Sequence, residues 1–191
     1  MEKRIIAVAG GIGCGKSVVC RILIAMGYPV YDCDSRARCI MDNDAGIIAR
    51  IASEVAQEAV GADGRIDRSA LSAVVFSDDE ALRRLNSIVH AAVRADFRRW
   101  AAETPSEVLF VESAILYQSG LDREVGEVWE VCAPMELRLE RVMKRNGFTE
   151  QQVLARMSAQ DSFVAGRVHP RVIRIINDGC EPLLPQIEAA L

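Results

Sequence analysis

The sequence predicts an α/β fold, a three-layer sandwich with a five-stranded parallel sheet. Three observations carry this reading. Short apolar, β-branched stretches recur along the 191 residues, at 5–9, 29–32, 108–112, 128–133 and 172–176. Helical periodicity fills the intervals between them, the alternation that builds a parallel sheet covered by helices on both faces. The first stretch runs directly into Gly10-Gly11-Ile12-Gly13-Cys14-Gly15-Lys16-Ser17, which fits G-x-x-x-x-G-K-[ST] between a strand and a helix.

Ile5–Ala9 is apolar throughout, as a strand buried on both faces requires. The glycines after it let the backbone approach an anion with no Cβ in the way, and successive N–H groups then line one concavity. The backbone from Gly11 through Ile12, Gly13, Cys14, Gly15, Lys16 and Ser17 to Val18 is the candidate triphosphate cradle. A helix starting near Lys16 adds its positive end. Lys16 is placed to bring an ammonium between the outer phosphates, and the Ser17 hydroxyl to ligate Mg²⁺. The motif specifies a nucleoside triphosphate and leaves open which one. The helix runs from Ser17 to Met26 and ends at Gly27.

Pro29–Asp32 is the second strand, closing on Asp32-Cys33-Asp34 before a helix that starts at Ser35. Strand alternation would aim Asp32 and Asp34 the same way, with Cys33 opposite. They would then stand where open parallel sheets bind ligands, beyond the carboxyl ends of the strands. The other reading is that they cap the following helix. Residues 44–104 are helical in period, with Ile47, Ile48, Ile51 and Val55 on one face and a turn at Ala62-Asp63-Gly64-Arg65. Ser77-Asp78-Asp79-Glu80 reads as a capping box opening a helix to about Trp100, with the apolar stripe Leu82, Leu85, Ile88, Val89 and Val93. His90 lies on or beside that stripe, as a packing residue or as a functional one.

Val108–Glu112 is the third strand; Glu112 either organises Mg²⁺ through water or is a structural charge at a strand end. Val128–Ala133 is the fourth. Pro134 then opens a helix bearing Arg138, Arg141, Lys144 and Arg145, broken at Asn146-Gly147-Phe148. Thr149-Glu150-Gln151-Gln152 is a second capping box. The arginine-rich hairpin is either a solvated charged face or a lid that closes on a transferring phosphoryl group. Val172–Ile176 is the fifth strand, Asn177-Asp178-Gly179 a turn, and a closing helix follows Pro182.

Composition narrows the class. Net charge is −4, which argues against a general nucleic-acid or membrane-surface binder. Cysteines at 14, 20, 33, 39, 132 and 180 form no C-x-x-C pair, so reduced thiols in a cytosol are the simplest reading. No separate signal segment precedes the first strand, and no uncharged apolar run is long enough to span a bilayer.

Taken together, the loop motif and Asp32-x-Asp34 one strand later resemble the dephospho-CoA kinase family. There the loop reads G-G-I-G-[ST]-G-K-S and the second strand ends in D-A-D. The likeness covers essentially the whole chain. It continues in Ile88-Val89-His90, Gly120-Leu121, Arg145 before Asn146-Gly147, Gln160, and Ile176-Asn177-Asp178-Gly179. The chain departs from the family pattern at Ala114-Ile115-Leu116-Tyr117-Gln118, for P-L-L-[FY]-E, and at Ala91, for Pro. The resemblance implies a P-loop kinase with a core (1–43, 105–133, 160–191), a helical acceptor-binding insertion (44–104) and a helical lid (134–159). It implies ATP with Mg²⁺ as cofactors and transfer of phosphate to the ribose 3′-hydroxyl of dephospho-CoA, the last step of coenzyme A biosynthesis, in the cytoplasm. It assigns Asp34 to the acceptor proton, Lys16 to the phosphates and Arg145 to the transition state, with Arg141 as a candidate helper. A kinase for another acceptor and a non-catalytic nucleotide switch are the alternatives. Against the switch, no Asn is followed by Lys, as a guanine-binding motif would require.

Overall fold

A computed structural model describes residues 3–161 and 168–191, with residues 159–161 as backbone alone. The chain forms two compact units, one from Met1–Asp32 with Thr104–Leu191 and one from Cys33–Glu103. The first holds the sheet: β1 (Arg4–Ala9), β2 (Val30–Asp32), β3 (Val108–Glu112), β4 (Glu127–Cys132) and β5 (Val172–Ile176). Every pairing is parallel and the spatial order is β2-β3-β1-β4-β5. Its helices are α1 (Lys16–Ala25), α6 (Met135–Asn146), α7 (Glu150–Asp161) and α8 (Leu183–Ala190). The second unit holds α2 (Cys33–Asn43), α3 (Ala45–Glu54), α4 (Arg68–Ser77) and α5 (Asp79–Glu103).

The central strand explains its own composition. Ile6, Ala7 and Val8 of β1 and Leu109, Phe110 and Val111 of β3 are fully buried. A strand covered on both faces has no polar side, so these runs do not alternate. The core joins Ile6, Val8, Val19, Leu23, Phe110, Trp129, Ile175 and Ile187. Phe110 sits edge-on to Trp129 at 5.1 Å and to Tyr28 at 5.5 Å between ring centres. The Trp129 indole N–H donates to the buried Glu127 carboxylate at 2.8 Å, and Arg4 and Arg171 donate to the same carboxylate at 3.0 and 3.1 Å. That group ties β1 and β4 to the segment entering β5.

The helical unit has its own core of Ile51, Ala56, Ala59, Leu71 and Ile88. The Arg36 guanidinium of α2 forks onto the buried Asp96 of α5, both bonds being 2.8 Å, and Arg99 approaches the same carboxylate. Asp44, Asp67 and Asp78 cap α3, α4 and α5 by accepting from backbone N–H groups in the first turns.

Three local expectations are corrected. The cap of α5 is Asp78; the Ser77 hydroxyl instead donates back to the carbonyls of Ala73 and Val74 at the end of α4. Leu82 is exposed, and the face of α5 that is buried runs through Ala81, Ile88, Val93, Phe97 and Ala101. Asp32 and Asp34 do not share one strand face, because α2 begins at Cys33 and helical rotation replaces the alternation. In contrast, Thr149 and Gln152 exchange both bonds of the second capping box, at 3.0 and 3.3 Å.

Phe110→Ala should destabilise the chain by about 3–5 kcal/mol, because the fully buried ring is removed from between the Tyr28 and Trp129 rings and leaves a cavity. Urea denaturation measures this, and a loss below about 1 kcal/mol would contradict the packing described.

Candidate functional site

The loop between β1 and α1 is the centre of the site. Each carbonyl from Gly10 to Gly15 accepts a hydrogen bond. Gly10 accepts from Lys16 Nζ at 3.0 Å, and Gly11 from the Cys14 N–H at 3.3 Å. Ile12 accepts from Arg138 Nε at 3.0 Å, Gly13 from Arg141 Nη1 at 3.4 Å and Cys14 from Asn177 Nδ2 at 2.8 Å. Gly15 accepts from the Val18 N–H at 2.9 Å as the first turn of α1 forms.

Two glycines are fixed by these neighbours. Gly13 has φ 81°, and a Cβ there would lie 2.7 Å from the Arg138 carbonyl oxygen. Gly15 caps α1 in the left-handed region, φ 92°, and a Cβ there would run into the Asn177 amide nitrogen.

Lys16 is the first residue of α1, and its ammonium folds back over the loop onto Gly10. Ser17 and Val18 are exposed in the next positions of the same turn. The N-terminal turn of α1 holds no acidic residue, so its positive end is open to an anion. Cys14 points inward and is buried in the core.

Asp32 and Glu112 are register partners at the carboxyl ends of β2 and β3, so their side chains share a face of the sheet. The Cys20 thiol of α1 hydrogen-bonds to Glu112. Burial pushes that thiol up strongly, the Glu112 charge and hydrogen bond add to it, and the Lys16 ammonium opposes it. Cys20 therefore stays a neutral donor. The Cys20 thiol feels the charges of Lys16, Asp32 and Glu112 together. Asp34 lies in the first turn of α2, two residues beyond the end of β2.

The hairpin of α6 and α7 has a core of Val142, Val153 and Met157, and Ile12 from the loop packs into it with Leu139 and Phe148. Arg156 lies 4.2 Å over the Phe148 ring. Gly147, φ 66°, ends α6. Of the arginines singled out in the sequence, Arg141 reaches the loop carbonyl and also the Asn177 carbonyl at 3.1 Å. Arg145, one turn later, is exposed and donates to the Asn146 side chain at 2.9 Å.

Two residues at the loop carry more than their sequence reading gave them. Arg138 reads as one cation of a hairpin that is either a solvated charged face or a closing lid, and Asn177 as a turn residue. Their partners are 126 and 163 residues away in the chain, so no local pattern announces them. His90 is half-buried on α5, where burial and the Arg94 charge hold its pKa below the usual histidine value. The side chain of Gln160 lies outside the described residues.

No cluster of three or more His, Cys, Asp or Glu side chains suited to a metal occurs among the described residues. The oxygen donors near the loop are the Ser17 hydroxyl, Asp32 and Glu112. Such donors suit a hard cation that arrives with phosphate ligands and keeps several waters, which is how Mg²⁺ is commonly held. No described helix is long and apolar enough to cross a membrane.

Comparison with known proteins gives the family. The dephospho-CoA kinase family model matches residues 4–179. A dephospho-CoA kinase from Porphyromonas gingivalis is 38% identical over 82% of this chain and 77% of its own. One from Bacteroides fragilis is 35% identical over 95% and 88%. Among solved structures, TT1252 from Thermus thermophilus superposes with a TM-score of 0.78 at 33% identity, over 100% of this chain and 95% of that one. Dephospho-CoA kinase from Campylobacter jejuni superposes at 0.67 with 24% identity, over 98% and 95%, and supports the fold. The loop sequence, the parallel sheet that carries it and a match running from β1 to the turn after β5 lead to one conclusion: the chain belongs to the dephospho-CoA kinase family.

Proposed function

We propose that the chain transfers the γ-phosphoryl group of ATP to the ribose 3′-hydroxyl of dephospho-CoA, giving CoA and ADP. The observation that carries this reading is family membership over residues 4–179, on a chain whose phosphate loop is formed between β1 and α1. The loop N–H groups and the positive end of α1 hold the β- and γ-phosphates. Lys16 moves from the Gly10 carbonyl to the outer phosphates. Ser17 would hold Mg²⁺, which would supply positive charge to offset that of the phosphates. Asp34 accepts the proton of the 3′-hydroxyl and orients that oxygen for in-line attack. Arg145, brought in by closure of the hairpin, meets charge that develops on the transferring group, with Arg141 as its helper. Closure also excludes water, a competing acceptor. The reaction takes place in the cytoplasm on this reading, which the free thiols among the described residues support, since they suit a reducing compartment.

The deciding experiment is ADP release with dephospho-CoA against a panel of nucleoside monophosphates. Turnover confined to another acceptor would overturn the substrate assignment. Lys16→Ala should lower kcat/KM by the equivalent of roughly 3–4 kcal/mol with the fold intact by circular dichroism. Asp34→Asn should reduce kcat by roughly 10²–10⁴-fold and leave ATP affinity level by calorimetry. A greater loss in Asp32→Asn than in Asp34→Asn would assign the base to the other carboxylate. Arg145→Ala should lower kcat more than it weakens ATP binding, because its contact forms on closure. Loss of ATP affinity with kcat unchanged would contradict that role and make Arg141→Ala the variant to test next.

A further inference from the structure

We infer that Arg138 and Asn177 are positioning residues for the triphosphate, acting with Arg141 through the backbone of the phosphate loop. The inference rests on the reading that this loop binds ATP. Three consecutive peptide groups carry it. The carbonyls of Ile12, Gly13 and Cys14 are each held by a side chain from another element: Arg138 and Arg141 of α6, and Asn177 at the end of β5. No peptide bond among the described residues is cis. A trans peptide sets its N–H opposite its C=O. Fixing the Ile12 and Cys14 carbonyls from outside therefore turns the Gly13 and Gly15 N–H groups the other way, toward the concavity. The Cys14 N–H, by contrast, closes the 3.3 Å bond to Gly11.

Charge gives the second line of argument. Neither Arg138 nor Arg141 has a carboxylate partner among the described residues. Arg138 Nη2 is buried and has no hydrogen-bond partner there. A guanidinium serving only to brace a helix against a loop would be expected to find partners for its buried donors. Here two unneutralised cations stand behind a loop that receives a polyanion. Donation from a cation also polarises the peptide it touches and strengthens donation by the N–H on the far side.

Packing gives the third. Asn177 holds the Cys14 carbonyl while its own side-chain and backbone oxygens accept from Arg141, at 3.4 and 3.1 Å. Ile12 places its side chain in the core of the α6–α7 hairpin and its carbonyl on Arg138. The hairpin base and the β5 end thus hold the loop in its binding shape before any phosphate arrives.

The test measures ATP binding by calorimetry and steady-state KM values in wild type, Arg138→Met, Arg138→Lys and Asn177→Ala. Arg138→Met and Asn177→Ala should each weaken ATP about tenfold or more, the scale of a lost hydrogen bond to a charged or buried group. KM for ATP should rise accordingly and KM for dephospho-CoA should stay level. Arg138→Lys, which keeps the charge and one donor, should recover most of the affinity. Should Arg138→Met fail to fold, Arg138→Gln serves in its place, since it keeps a donor and removes the cation. Variants that lower Tm while binding ATP as wild type does would reduce both residues to structural braces and overturn the inference. A wild-type chain that binds ATP but does not phosphorylate dephospho-CoA would refute the activity above and leave this inference standing.

Discussion

The loop between Ala9 and Lys16 must present N–H groups to an anion without leaving its own carbonyls unpaired. That constraint governs the rest of the α/β unit. A helix or strand satisfies its carbonyls internally, but this loop is neither, and a buried unpaired carbonyl is unfavourable. The solution draws on α6, the end of β5, Lys16 and the first turn of α1. It also forbids side chains at the points of approach, which is why Gly13 and Gly15 lie directly under Arg138 and Asn177. The sheet order follows the same need, because β1 lies beside β4, and β4 leads straight into the helix that carries the arginines.

The two units solve their burial problems differently. In the α/β unit, the apolar centres of β1 and β3 pack with aromatic rings, and the buried Glu127 is balanced by two arginines and an indole N–H. In the helical unit, amphipathic helices share a small aliphatic core, and Asp96 is neutralised by Arg36 and Arg99. In both, a buried carboxylate is tolerable because cations and donors meet it. Isolated in such a core, either one would be strongly destabilising.

The sequence made the sheet legible because each strand is short, apolar and bounded by turn residues; β3 and β5 were read to the residue. The loop was legible because it needs glycine, lysine and serine at fixed spacing. Asp34 misled because Asp-x-Asp at a strand end resembles continued extension. Only the three-dimensional chain shows that helix formation starts at Cys33. Ser77 misled because Ser and Asp are both good caps, and which of them is used depends on where α4 stops. Arg138 and Asn177 could not be read as loop partners, since the contacts that define them are tertiary. The nearest clue was the asparagine in the Ile176-Asn177-Asp178-Gly179 turn, one of the features by which the chain resembles its family.

The strand order also sets a schedule for the nascent chain. β1 and the phosphate loop are made first, yet both sheet neighbours of β1 lie beyond residue 104. The intervening segment, Cys33–Glu103, is contiguous and helical and forms a compact unit of its own, so it can close before β3 and β4 are made. Throughout that interval the Ile5–Ala9 run has no strand to pair with. It stays an unpaired apolar run until β3 and β4 are made. The strand that leads into the phosphate-loop motif is therefore one whose sheet partners are all made after it.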